Sequence, residues 1–393
     1  MHTKMKILFT TTFYPPFHIG GDATHVKYLA EALAEKGHNV HVMFSMDAYE
    51  FKRKEKPKMP ETWNGVKVHV IESPLGKLEP ILNYIFGTQK YTYNYFKNLL
   101  EKEKFDVVHH HNISLLGYNI LKKIGTYRNI YTAHDCWLIC HKHDYFKFGK
   151  ICDKRTCFSC TLANGKPYLF HRLGNNFKTA IDDVDLIIAP SKFMKNELTK
   201  YLKNKIKAIY NFVPYPAKRL PPINHKNYFL FVGNLVRNKG ILELIDVFKK
   251  IPEENLLIVG KGDLDFKIKK IIEEHNNIKF LGWKAREEVL AYMKNAKALI
   301  LPSLAPETMP LIIIEALSVG TVVIGSNIGG VGEILKKIDT ELLFNPINKN
   351  VLRKKILAFN ETKYNKNKLI NLYKENYSTK AYLKELRKIG YFK

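Results

Sequence analysis

Two kinds of reactive side chain stand out in this 393-residue chain: a spaced pair of glutamates and one cysteine–histidine window. Glu307 and Glu315 lie eight residues apart within PSLAPETMPLIIIEALSVGTVVIGSNIGGVGEI. A helix starting near Pro310 puts Glu315 in its interior and leaves Glu307 in the loop before its N-terminus. The unpaired N–H groups and partial positive charge at such an N-terminus form an anion site. A carboxylate beside it can accept hydrogen bonds from a pair of sugar hydroxyls. Glu315 stands among Leu311, Ile312, Ile313, Ile314, Ala316 and Leu317. An acid in so apolar a stretch needs donors once buried; the plainer alternative is a solvent-facing helix glutamate.

The second feature is HDCWLICHKHDYFKFGKICDKRTCFSC, residues 134–160, which holds all five cysteines together with His134, His141 and His143. Cys140, Cys152, Cys157 and Cys160 follow the spacing C-x11-C-x4-C-x2-C. The closing Cys-x2-Cys is the tight half of a tetrahedral thiolate site, in which Cys136 or His143 could replace one ligand. Structural zinc is the leading expectation. Disulfides, an iron–sulfur cluster and free thiols stay open beside it.

These side chains need a scaffold, and the hydrophobic pattern supplies one. A strand over Ile7–Phe9 runs into a loop with Gly20 and Gly21. A helix follows with Val26, Leu29, Ala30, Leu33 and Ala34 at helical spacing, ended by Gly37, and then a strand over Val40–Phe44. FDVVHHHN, RNIYTAHD and VDLIIAPS read as further buried strands, each ending in a polar loop. In open α/β sheets ligands bind at those carboxyl ends. After YNFVPYPAKRLPPINHKN, with prolines at 214, 216, 221 and 222, the pattern restarts in YFLFVGNLVRNKG, NLLIVGKGD, IKFLGW, KALILPS and GTVVIGS. The expected class is α/β, with two Rossmann-like doubly wound parallel-sheet domains. Residues 1–213, with the cysteine-rich loop 136–160, form the first. Residues 214–375 form the second, and 376–393 a C-terminal helix that packs back on the first.

The formal net charge is +26. Such an excess favours anionic partners, nucleotides or an acidic membrane surface, unless it only reflects a lysine-rich or heat-adapted surface. No helix-turn-helix, RNA-recognition or zinc-finger pattern accompanies the charge, so nucleic acid is not an expected partner. No apolar run has secretory or spanning length, and the expected location is cytoplasmic, at most peripheral on the inner face of the membrane. The stretch ILNYIFGTQKYTYNYFKNLL is rich in aromatics, reading either as an acceptor face or, more simply, as an amphipathic helix on the sheet. KNELTKYLKNKIK, with Lys142, Lys147, Lys150, Lys154 and Arg155, makes the first domain basic enough to hold anionic lipid. His109, His110 and His111 follow a strand, and alternation lets only some of them face a site. His18 and His25 flank the Gly-Gly loop, where they could touch a substrate.

Taken together the motifs resemble glycosyltransferase family 4, the retaining nucleotide-sugar-dependent transferases of GT-B fold, whose two domains face across a cleft. The resemblance covers nearly the whole chain. It rests on Glu-x7-Glu at Glu307 and Glu315, on GTVVIGSNIGGVGEI, FVGNLVRNKG, IVGKGD and NIKFLGW, and on FYPPFHIGG and YTAHD in the first domain. It implies that Glu315 binds the donor ribose, Glu307 the donor sugar hydroxyls and Lys239 the diphosphate. Gly20 and Gly21 would let the backbone approach that diphosphate, and His134 would lie at the sugar. Gly233 and Asn234 fall in the donor-side loop, where the family usually has Arg after the glycine. Asn234 cannot supply that charge, and Arg237 is the nearest substitute.

The implied reaction is transfer of a hexose-type sugar from a nucleoside-diphosphate sugar to a saccharide or lipid-linked saccharide acceptor, as in cell-envelope polysaccharide or glycan synthesis. No cofactor is implied for catalysis. A GT-B nucleotide-sugar epimerase or phosphorylase is the main alternative. A basic nucleic-acid-binding protein and an inactive scaffold, the latter favoured only by Asn234, are weaker ones.

Overall fold

The computed structural model describes residues 4–54, 57–147, 150–216 and 219–392. The chain divides into two compact units. The first comprises Met1–Tyr145, Cys152–Tyr210 and Leu383–Lys393; the second comprises Phe146–Ile151 and Asn211–Tyr382.

In chain order the first half contains β1 (Lys6–Thr10), β2 (Asn39–Ser45), β3 (Lys67–Ile71), β4 (Val107–His110), β5 (Arg128–Thr132), the short hairpin of β6 (Phe146–Lys147) and β7 (Lys150–Ile151), then β8 (Leu186–Ala189) and β9 (Ile206–Ala208). Among the described residues, β3, β2, β1, β4, β5, β8 and β9 lie side by side in that order as one sheet. Every pairing is parallel. The strands are apolar runs because helices cover both faces of such a sheet. Strand order reverses between β1 and β4, so the loops after those two strands part there and leave a crevice for side chains.

The helix Gly21–Glu35 returns from β1 to β2, burying Val26, Leu29, Ala30 and Leu33. It stops as expected: Gly37 takes φ +85°, and the N–H groups of Gly37 and His38 cap the carbonyls of Ala34 and Leu33. The aromatic stretch after residue 80 forms two helices, Leu78–Phe86 and Lys90–Glu103, parted at Gly87. It buries Phe96 in the core while Phe86 and Tyr91 remain exposed.

The second unit repeats the architecture with β10 (Tyr228–Val232), β11 (Asn255–Val259), β12 (Ile278–Gly282), β13 (Ala298–Leu301), β14 (Val323–Ser326) and β15 (Leu343–Phe344). Their order is β12-β11-β10-β13-β14-β15, again parallel throughout, with the reversal between β10 and β13. Strands β3, β9 and β15 have no counterpart in the pattern read from sequence.

The last residues, Leu383–Lys393, count with the first unit. Arg128 donates to the carbonyls of Gly390 and Ile389, the latter at 2.9 Å. The Phe392 ring stacks on His38 with centroids 5.4 Å apart.

Candidate functional site

At the reversal point of the second sheet, the loop leaving β10 meets the loop leaving β13. Lys239 ends a short 3-10 turn, Arg237–Lys239, in the first loop; Ser303 and Glu307 belong to the second. The Lys239 ammonium donates to Glu307 Oε1 at 2.5 Å, and the Ser303 hydroxyl donates to the same oxygen at 2.7 Å. Burial pushes the Glu307 carboxyl up, but the Lys239 charge and the hydrogen bonds from Lys239 and Ser303 outweigh it and hold the group below the usual range. The acid therefore stays ionised beside a fixed ammonium.

Backbone geometry holds these loops together. Leu304 N–H donates to the Asn238 carbonyl at 2.8 Å, and Gly330 N–H to the Glu307 carbonyl at 2.7 Å. Gly240 takes φ +70°, and a Cβ there would come within 1.9 Å of the Pro302 carbonyl oxygen. Only glycine allows that approach in that conformation.

Glu315 sits inside the helix Leu311–Ser318, which follows Pro310 as the sequence suggests. It is half-buried and accepts from Arg286 Nε at 3.1 Å, while another guanidinium nitrogen of Arg286 donates to the Pro214 carbonyl. Burial pushes the Glu315 carboxyl up, and Arg286 only partly offsets it. Gly233 is half-buried and Asn234 exposed in the loop after β10. Arg237 points to Glu243 at 3.2 Å, with 70 % of its side chain exposed. Lys239, Glu307 and Ser303 thus form one cluster. Glu315 with Arg286, and Arg237 with Glu243, form separate pairs. Neither Ser303 nor Arg286 is singled out by sequence, and only the fold brings them in.

The first unit has its own cluster at the reversal between β1 and β4. His134 follows β5, half-buried, and its Nε2 lies 2.8 Å from His111 Nδ1. His25, fully buried on the helix Gly21–Glu35, has its ring centroid 5.0 Å from that of His134. All three histidines of the β4 end are buried, each with a polar partner, as buried polar groups require. His110 bonds Thr10 Oγ1 at 2.7 Å. His109 bridges Thr132 Oγ1 at 2.7 Å and the Tyr391 hydroxyl at 3.1 Å, and its ring lies 4.3 Å from that of His111. Alternation therefore puts His109 and His111 on one side of the sheet and His110 on the other.

Burial lowers His134 to about 4, against a smaller opposing effect of Asp135, so it is a neutral imidazole at pH 7. Asp135 in turn faces His143 Nδ1 at 3.5 Å. Gly20, at φ +94°, precedes the helix Gly21–Glu35, whose first turn carries Asp22. Asn112 Nδ2 donates to the Asp22 carboxylate at 2.8 Å, which ties the helix start to the loop after β4. His18 is exposed and bonds the Pro16 carbonyl.

The cysteines are all free thiols in this arrangement. Cys136 is buried against Met194 at 3.8 Å, and Cys152 Sγ donates to the Lys154 carbonyl. Cys157 and Cys160 share the helix Cys157–Ala163. Among the described residues, no three His, Cys, Asp or Glu side chains are placed to hold a metal ion. The set Cys140, Cys152, Cys157 and Cys160 therefore does not fit a metal as it stands here.

Residues 217–376 match the model of the glycosyl transferases group 1 family, and residues 19–215 that of Glycosyltransferase Family 4. An uncharacterized glycosyltransferase of Methanocaldococcus jannaschii is 29 % identical over 357 residues, covering 90 % of this chain and 88 % of its own. Among solved structures, a sucrose-phosphate synthase from Thermosynechococcus elongatus superposes with a TM-score of 0.75 at 20 % identity, covering 98 % of each chain. Anabaena HepE, solved in complex with UDP-glucose, gives 0.65 at 17 % identity over 98 % of this chain and 99 % of its own. At such identities these structures speak for the fold alone, which is GT-B. The family match over residues 19–215, half of the chain, is decisive: the protein belongs to glycosyltransferase family 4 and is a glycosyltransferase.

Proposed function

We propose that the protein transfers a hexose-type sugar, with retention of anomeric configuration, from a nucleoside-diphosphate sugar to a saccharide or lipid-linked saccharide acceptor. A role in cell-envelope polysaccharide or glycan synthesis, on the cytoplasmic side of a membrane, suits that acceptor. The observation that carries the donor assignment is the Lys239–Glu307–Ser303 cluster at the reversal point of the second sheet. That position is where open α/β sheets bind nucleotides, and the bound UDP-glucose of Anabaena HepE supports the donor class.

In this reading Lys239 binds the donor diphosphate and stabilises the charge that develops on it as the glycosidic bond breaks. Glu307, ionised and fixed by Lys239 and Ser303, accepts hydrogen bonds from the donor sugar hydroxyls. Glu315 accepts from the ribose hydroxyls, exchanging Arg286 for them. Gly20 and Gly21 leave the start of their helix open to the diphosphate. Gly233, Asn234 and Arg237 line the donor side; Arg237 reaches the phosphates only by leaving Glu243. His134, held neutral, takes a hydrogen bond from the reacting sugar or its acceptor. Attack on the same face as the departing phosphate, with that phosphate as base, needs no further carboxylate and no metal.

The structural-zinc reading of Cys140, Cys152, Cys157 and Cys160 rests on spacing alone. Metal analysis of protein purified without chelator tests it: one zinc per chain supports the reading and none removes it.

The test of the transfer reaction is a panel of nucleotide sugars and saccharide acceptors, read as acceptor-dependent release of nucleoside diphosphate and product stereochemistry. Retained configuration supports the proposal. A free epimer of the donor, or a sugar phosphate formed from inorganic phosphate, would replace it with an epimerase or a phosphorylase.

A further inference from the structure

Large apolar side chains on a protein surface are ordinarily scattered singly. One region of the first unit departs from this. Phe158 and Leu162, one turn apart on the helix Cys157–Ala163, are 60 % and 71 % exposed. Phe170 and Leu173, three apart on the 3-10 turn Phe170–Leu173, are 66 % and 69 % exposed. Spacings of four in an α-helix and three in a 3-10 helix put each pair on one side. Tyr168 joins them, with its ring centroid 5.5 Å from Phe158 and 5.0 Å from Phe170. His171 Nδ1 lies 3.0 Å from the Ile85 carbonyl, which brings exposed Phe86 to the same area.

Cations accompany this apolar surface on the same and neighbouring segments. Lys52, Lys154, Lys166 and Lys178 are exposed, and among the described residues none of the four forms an ion pair. Partial desolvation of its amine, and after it the charge of nearby Lys166, lower the Lys52 ammonium. Two amines crowded in this way gain from a shared anion. Over residues 146–180 there are seven Lys and Arg against one Asp.

We propose that this face docks the protein on an anionic lipid surface. Its aromatic and aliphatic tips enter the headgroup boundary while the lysines meet lipid phosphates. A second copy of the chain suits it less, because a two-fold contact would set the same lysines against each other. The participating segments also share an origin. The helices Met46–Lys52 and Leu78–Phe86 and the 157–173 segment are connections that leave the carboxyl ends of β2, β3 and β5. His134 stands at the carboxyl end of β5. Docking therefore holds the His134 end of this sheet at the lipid surface, where a lipid-linked acceptor presents its head. The docking stands on the surface itself; the link to such an acceptor rests on the transfer reaction proposed above.

The experiment is co-sedimentation with vesicles of phosphatidylglycerol and phosphatidylcholine in equal parts, and of phosphatidylcholine alone. Binding is expected to the anionic vesicles, falling as salt shortens the Debye length. The pairs Phe158→Ser with Leu162→Ser, Phe170→Ser with Leu173→Ser, and Lys52→Glu with Lys166→Glu should each weaken it by about tenfold or more. Stabilisation by added nucleoside diphosphate, read as a thermal shift, reports folding and the donor site independently. Absence of binding by the unaltered protein overturns the proposal, as does binding that all three variants retain. Self-association abolished by the same variants, without lipid binding, would instead give the face to a second copy. Loss of the nucleotide shift with vesicle binding intact would overturn the transfer reading and leave the docking.

Discussion

At the scale of single residues, Lys239 and Glu307 are the pair on which most depends. A half-buried carboxylate deprived of its cation costs about 3–5 kcal/mol, whereas the intact pair is close to neutral in net stability. Lys239→Met keeps the bulk and removes the charge, so burial raises the Glu307 carboxyl against the remaining Ser303 hydrogen bond. A raised folded-state value means that the folded protein holds a proton more readily than the unfolded chain. The penalty is then present at pH 7, shrinks as pH falls through the raised value and is gone below about 4.5. The expected result is a midpoint lowered by roughly 6–12 °C at pH 7, with the gap to the unaltered protein narrowing toward pH 4.5. Scanning calorimetry at both pH values checks this, and loss of the nucleoside-diphosphate shift should accompany it. His111 is the corresponding neighbour in the first unit, since its Nδ1 lies 2.8 Å from His134 Nε2. His111→Leu removes that hydrogen bond from the His134 imidazole and weakens the hold on its orientation. We expect kcat to fall about tenfold while the nucleotide-induced thermal shift stays as before, which steady-state kinetics beside the shift assay will show.

At the scale of elements, the site is made by loops that meet only because two strands separate, and Gly240 is where that meeting is tightest. Alanine there would carry a left-handed φ of +70° and a Cβ within 1.9 Å of the Pro302 carbonyl oxygen, a backbone atom that cannot swing aside. Gly240→Ala should cost about 2–4 kcal/mol. It should also loosen Lys239, its neighbour, so nucleotide binding weakens together with the thermal midpoint. Equal midpoints for variant and unaltered protein would contradict this. The same element shows what the sequence makes legible. FVGNLVRNKG announces a strand, a turn and a helix, because a parallel strand covered on both faces is an unbroken apolar run and glycine marks the turn. Glu307 and Glu315 stand out because charge is rare in such a stretch. Ser303 and Arg286 carry no mark, since what matters in them is adjacency to residues that the fold alone brings near. Strands β3, β9 and β15 escape for another reason. β3 is mostly half-exposed and mixes Lys67 and His69 with valines, while β9 and β15 have three and two residues, too few for a period to register.

At the scale of the whole molecule, the two units share an architecture but differ in how they hold protons. His25, His41, His69, His109, His110, His111, His134, His141 and His171 are all lowered by burial, and every one belongs to the first unit. His134, His41 and His141 fall to about 4 and His110 to about 3. Each is neutral when folded and gains a proton near pH 6.5 when unfolded. The unfolded chain thus binds more protons from about pH 6.5 downward, and stability falls with pH through that window. The contribution is complete above about 6.5 and is lost progressively toward 4, at up to about 1.4 kcal/mol per pH unit for each such group. Several acting together make the first unit fail first in mild acid. Calorimetry should resolve two transitions as pH is lowered from 7 to 5. The earlier one should move down by about 10 °C or more while the later one holds nearly still. Acid should also abolish transfer before it abolishes nucleotide binding, because the donor cluster of Lys239 and Glu307 lies in the second unit and Glu307 keeps its charge to lower pH. A single transition that shifts as one would show instead that the two sheets unfold together, and that the buried histidines load the stability of the whole chain.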